Sequence, residues 1–112
     1  MSNGSFFPDI ITSLPQADVP ILGVRAYLFQ GEDKQLVFME FAEEVDVPEH
    51  SHAAQWGAVL KGEITLTIGG ETSMYRPGDT YSVPAGVPHR ARIAAGSCLE
   101  DIFDQVDRYQ SK

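Results

Sequence analysis

The sequence predicts an all-β domain, a barrel or sandwich of about eight or more short antiparallel strands. Three observations predict it. Short runs rich in Val, Ile, Thr, Tyr and Phe recur from Ile21 onward, turn residues separate them, and no segment carries a convincing helical period. Closure or a second sheet must follow, because nothing else buries the apolar faces of so many strands.

The elements follow in order. Residues 1–20 hold Pro8, Pro15 and Pro20 among scattered apolar residues. Each proline removes a backbone donor, so a long helix is excluded and an extended arm is expected. Strands are expected over 21–29, 35–41, 55–60, 64–68, 71–75, 79–83, 89–93 and 98–103. Between them Gly31-Glu32-Asp33, Lys61-Gly62, Gly69-Gly70, Pro77-Gly78, Pro84-Ala85-Gly86 and Ala95-Gly96 supply the φ values that tight turns need. Ile64-Thr65-Leu66-Thr67-Ile68 alternates apolar and polar, and Gly69-Gly70 suits a two-residue loop into 71–75. The tail offers one short helical turn over 104–110, with Asp104 as a cap, marginal on its own. A chain of 112 residues is enough for one core and too short for two ordinary domains. The expected organisation is an arm over 1–20 and one barrel domain over 21–112.

Charge narrows the function classes. Eight basic against sixteen acidic residues give a net charge of −8, which removes any general attraction to nucleic acid or to anionic lipid. The one cysteine, Cys98, cannot form an internal disulfide, and it sits in an apolar run where a small buried thiol is expected. With no signal-peptide pattern and no apolar run long enough to span a membrane, the chain reads as cytoplasmic.

The three histidines carry the chemistry. His50 and His52 flank one residue, and in an extended segment such a pair projects to one face, offering two imidazoles to one point. His89 opens a later strand. Around them stand Pro48-Glu49-His50-Ser51-His52, Gln55 and, seven residues on, Gly62; then Gly78, Pro84, Gly86 and His89. These two blocks resemble the paired motifs of the cupin superfamily, over roughly 45–93. Three departures stand out: Gln55 occupies the place of the usual glutamate, the His52 to Gln55 spacing is one residue short, and Ile93 replaces an asparagine.

The resemblance implies a single-domain cupin, a jelly-roll β-barrel, in which His50, His52, Gln55 and His89 converge on one divalent transition metal ion (Zn, Ni, Fe or Mn) at the barrel mouth. It also implies a homodimer, with Phe6 and Phe7 of the arm available for its interface. Three imidazoles and a neutral amide would leave the full +2 charge on the ion, which favours Lewis-acid chemistry over redox cycling. The function expected is action on a small chelating substrate (a carbonyl, carboxylate or enediol) as a lyase, isomerase or cyclase, or as a dioxygenase. The alternative is a non-catalytic ligand-binding or sensor barrel.

A glutamine cannot move protons near neutral pH, so an enzyme of this kind needs another base. Glu40, Glu49, Glu63, Tyr81 and Cys98 are the candidates by position, and strand register decides which face each occupies. Trp56 should face away from Gln55, and Arg90 and Arg92 away from His89.

Overall fold

Turn residues at short intervals cut the chain into nine strands among the residues that the computed structural model describes, 4–112. They are β1 (Val24–Gln30), β2 (Gln35–Phe41), β3 (Val45–His50), β4 (Gln55–Lys61), β5 (Ile64–Ile68), β6 (Glu71–Tyr75), β7 (Thr80–Val83), β8 (His89–Ile93) and β9 (Cys98–Phe103). The diglycine hairpin forms as expected: β5 pairs with β6 from Ile64↔Tyr75 to Ile68↔Glu71. Gly69 and Gly70 both take positive φ in its loop.

The strands form two antiparallel sheets. One has the order β1-β2-β9-β4-β7, the other β3-β8-β5-β6. Alternation turns one face of each sheet inward, so β2 buries Val37, Met39 and Phe41, β5 buries Ile64 and Leu66, and β9 buries Leu99 and Phe103 in one shared core. Val37 and Val59 are essentially sealed from water, and each such side chain contributes roughly 1.5–3 kcal/mol by burial. Gly62 turns β4 into β5 at φ 82°, and a Cβ there would run into Ser97. Its neighbour Glu63 donates its amide to Ser97 Oγ at 3.0 Å, so the closing glycine of the first block is fixed by fit as well as by φ.

Four details differ from the sequence reading. The first strand begins at Val24 rather than residue 21, because Gly23 takes φ 81° and turns the chain just before it. The segment Val45–His50 is a strand that alternation did not reveal: Pro48 and the exposed acidic residues Asp46 and Glu49 hide it, and its place at a sheet edge with a register shift between Val47 and His50 tolerates the missing donor. The arm is not extended throughout. Asp9–Thr12 forms one short helix, α1, with Pro8 as N-cap residue and its carbonyl accepting from Ile11 and Thr12. The tail forms no helical turn over 104–110; buried Gln35 instead takes the backbone of Tyr109, donating to its carbonyl at 2.8 Å and accepting its amide at 3.0 Å.

The arm lies on the outward face of the five-stranded sheet. Phe7 is buried there among Tyr27, Phe38 and Cys98 in a second, smaller apolar cluster, while Phe6 stays exposed. Met1, Ser2 and Asn3 of the expected arm lie outside the described residues.

Candidate metal centre

The sheet edge that hides β3 also builds the site. His50 ends β3 and stands opposite His89, the first residue of β8, just past the register shift. His52 follows in the short connection to β4. The three rings gather with centroids 4.3–5.1 Å apart, and one ligating atom of each lies within 4.8 Å of the others.

Each imidazole is oriented by a nearby carbonyl. His50 Nδ1 meets Pro48 O at 2.9 Å, His52 Nδ1 meets Ala53 O at 2.7 Å, and His89 Nδ1 meets Val87 O at 3.0 Å. A carbonyl only accepts, so each Nδ1 carries a proton, and in the neutral ring this leaves Nε2 with the lone pair. Burial lowers the pKa of His52 and His89, which favours the same neutral form. The Nε2 atoms of His52 and His89 are 3.1 Å apart, so two lone pairs face each other at close range. A cation between them relieves that repulsion. The donor set therefore fits a transition metal ion.

Gln55, the first residue of β4, lines the same cavity of about 210 Å³ as the three histidines. Its Nε2 donates to Asp101 Oδ1 at 2.9 Å. The Tyr81 hydroxyl donates to the same Oδ1 at 2.7 Å. Asp101 is 2 % exposed, and burial pushes its carboxyl up to about 6, against the two hydrogen bonds that hold it down. Burial also raises the Tyr81 phenol well above its usual value, so it is a donor rather than a base. Arg108 reaches the cavity from the tail, over the rings of Tyr109 at 4.7 Å and Phe103 at 5.8 Å. Its Nε is buried with no hydrogen-bond partner among the described residues.

A family model described as a cupin domain matches residues 37–97, more than half of the chain. The chain belongs to the cupin family. Solved structures agree on the fold. An RmlC-like cupin from Shewanella frigidimarina NCIMB 400 superposes with a TM-score of 0.75 at 21% identity, covering 86% of this chain and 88% of that one. KdgF from Halomonas sp. gives 0.72 at 23% identity, over 93% and 96%. A variant of oxalate decarboxylase from Bacillus subtilis gives 0.69 at 21% identity over 84% of this chain, which spans 28% of that larger one. No curated protein matches the sequence.

In this cupin the residues considered as bases divide by face. Glu40 stands opposite Cys98 on the outward side of the five-stranded sheet, Glu49 is exposed, and Glu63 pairs with Arg76 at 3.2 Å. Cys98 is buried in the arm cluster, where desolvation raises its thiol pKa. Only Tyr81 of the five lines the cavity. Trp56 faces outward, and Arg90 and Arg92 are exposed, Arg92 paired with Asp46 at 3.0 Å, as alternation requires.

Sequence reasoning missed Asp101 and Arg108. For Asp101 a signal existed: strand period places it on the same face as Leu99 and Phe103, a carboxyl among core positions. For Arg108 there was none, since it lies in an irregular segment whose path depends on Gln35 and on the bridge between Ala17 and Ser111.

Proposed function

We propose that this cupin is an enzyme in which His50, His52, His89 and Gln55 hold one divalent transition metal ion and a small chelating substrate is turned over beside it. The observation that carries the reading is Asp101, a buried carboxyl in the same cavity as three convergent imidazole lone pairs. A barrel that only binds its ligand needs no proton carrier, and this one has a carboxyl whose pKa burial has moved toward neutrality.

The bound ion would act as a Lewis acid, polarising an oxygen of a carbonyl, carboxylate or enediol. Asp101 would hold or take the proton at the reacting carbon or oxygen. Arg108, with an unpartnered buried N–H, would take an anionic end of the substrate and orient it. The cavity of about 210 Å³ limits the substrate to a small molecule. The fold neighbours support the class of chemistry: oxalate decarboxylase acts, by its name, on a small chelating dicarboxylate, and the Bacillus subtilis protein contains Mn(II) centres. Zn, Ni, Fe and Mn all suit the donor set here. A homodimer is part of the proposal, with exposed Phe29 and Trp56 offering apolar contacts on the five-stranded sheet; light scattering at micromolar concentration tests it.

The deciding experiment combines elemental analysis of untagged protein with turnover assays against small carboxylates, enols and enediols, in air and without oxygen. Stoichiometric metal and oxygen-independent turnover are expected, with Asp101→Asn retaining metal and losing turnover. Turnover that requires oxygen would replace the Lewis-acid reading by a dioxygenase. Full turnover in Asp101→Asn would end its role as proton carrier.

A further inference from the structure

The central strand of the five-stranded sheet has a bare position beside the site. Gly57 in β4 pairs with Tyr81 of β7 on one side and with Asp101 of β9 on the other. The three residues form a row across the sheet, on the inward face that Gln55 shares two positions earlier. Gly57 has an ordinary φ, so backbone freedom does not explain it. Space does. A Cβ on Gly57 would overlap both the Tyr81 ring and Asp101 Oδ1.

The missing side chain thus lets the Tyr81 hydroxyl cross the strand and reach Asp101 at 2.7 Å. The same Oδ1 receives Gln55 Nε2 at 2.9 Å. Asp101 Oδ1 already accepts the Tyr81 hydroxyl, so as an acceptor it takes the N–H edge of the planar amide rather than its carbonyl edge. Gln55 Nε2 is held against Asp101, and its Oε1, on the opposite branch, is directed away from Asp101. The flipped amide would set two acceptor oxygens together and aim an N–H pair, which cannot bind a metal, into the donor set.

We propose that Tyr81 and Asp101, meeting across Gly57, are positioning residues that fix the Gln55 amide with its carbonyl oxygen toward the three histidines. The inference rests on the proposed ligand set and adds the device that makes a glutamine serviceable there. A glutamate would present an oxygen in either orientation, whereas an amide must be oriented. The row gives a reason for Gly57 and for the burial of a tyrosine whose hydroxyl does no proton chemistry.

The test is titration of the metal-free protein with Co(II) alone, read by its visible absorption, in four forms: wild type, Tyr81→Phe, Gln55→Ala and the double variant. Tyr81→Phe keeps the ring and removes only the hydroxyl. It should weaken Co(II) binding about tenfold and change the visible band. In the Gln55→Ala background the same change should have no further effect, because no amide remains to be oriented. Equal weakening by Tyr81→Phe in both backgrounds, or none in the wild-type background, would overturn the positioning role and leave the ligand set standing. Unchanged Co(II) affinity in Gln55→Ala would instead overturn the ligand set itself. Gly57→Ala should act in the same direction as Tyr81→Phe and more strongly; if it does not fold, the four-form cycle still decides.

Discussion

On the histidine side of the cavity, each imidazole is set by a carbonyl one or two residues away in the chain. On the opposite side, Gln55, Tyr81 and Asp101 are set by one another across three strands, over separations of 46 and 20 residues. The first side is a set of local devices, each able to form once its own turn is made. The second is a single unit, in which each group depends on the register of β4, β7 and β9. Loss of one histidine should remove a ligand without disturbing its neighbours, whereas a change in the carboxyl row should reach several groups at once.

The largest expected effect breaks the histidine side. His50→Ala with His52→Ala should lower metal affinity by at least about a hundredfold and leave circular dichroism and cooperative unfolding intact, since the apolar core does not depend on the site. Loss of the fold on removing these two rings would show that the sides are not independent.

Next comes the carboxyl. Asp101→Asn should cut turnover by about 10²–10⁴-fold while metal binding falls far less than in the double histidine variant, because an asparagine oxygen can still accept from Gln55. A loss of metal equal to that of the histidine variant would move Asp101 to the ligand side of the comparison.

Stability against pH sharpens the contrast. In the metal-free protein burial raises the Asp101 carboxyl from 3.8 to about 6, so the folded state holds the proton more tightly than the unfolded chain. The associated stabilisation is full below pH 3.8 and fades as pH rises through about 6, a loss on the order of 3 kcal/mol. Chemical denaturation between pH 4 and 7 should follow that slope in wild type and lose it in Asp101→Asn. An unchanged slope in the variant would assign the pH dependence to other groups.

The smallest effect is on the solvent side of β8. Arg92 and its partners Asp46 and Glu44 are all exposed, so Arg92→Ala should leave metal affinity and melting temperature at their wild-type values. A measurable fall in metal affinity would mean that the edge pair β3–β8 transmits surface changes to the histidines.

The two sides were not equally legible. His50 and His52 could be set on one face from their spacing, and His89 was joined to them by the resemblance to the cupin motifs, while the carbonyls that orient the three rings are sequence neighbours. The diglycine hairpin and most strands were legible, since alternation and turn residues act over a few positions. Strand β3 was not, because an edge strand with a register shift need not alternate. Gln55 was visible as a residue, but its contact with Asp101 was not.

The sequence alone determined an all-β chain and set His50 and His52 on one face, because local backbone geometry decides both; the cupin barrel and the joining of His89 to that pair came from the resemblance of the two motif blocks. Only the tertiary structure decided the carboxyl row of Tyr81, Gly57 and Asp101, the entry of Arg108, and the outward placing of Glu40 and Cys98. Those depend on which residues lie opposite one another on β9, β4 and β7, and a shift of one residue in that register would turn Asp101 out to solvent and Glu100 in.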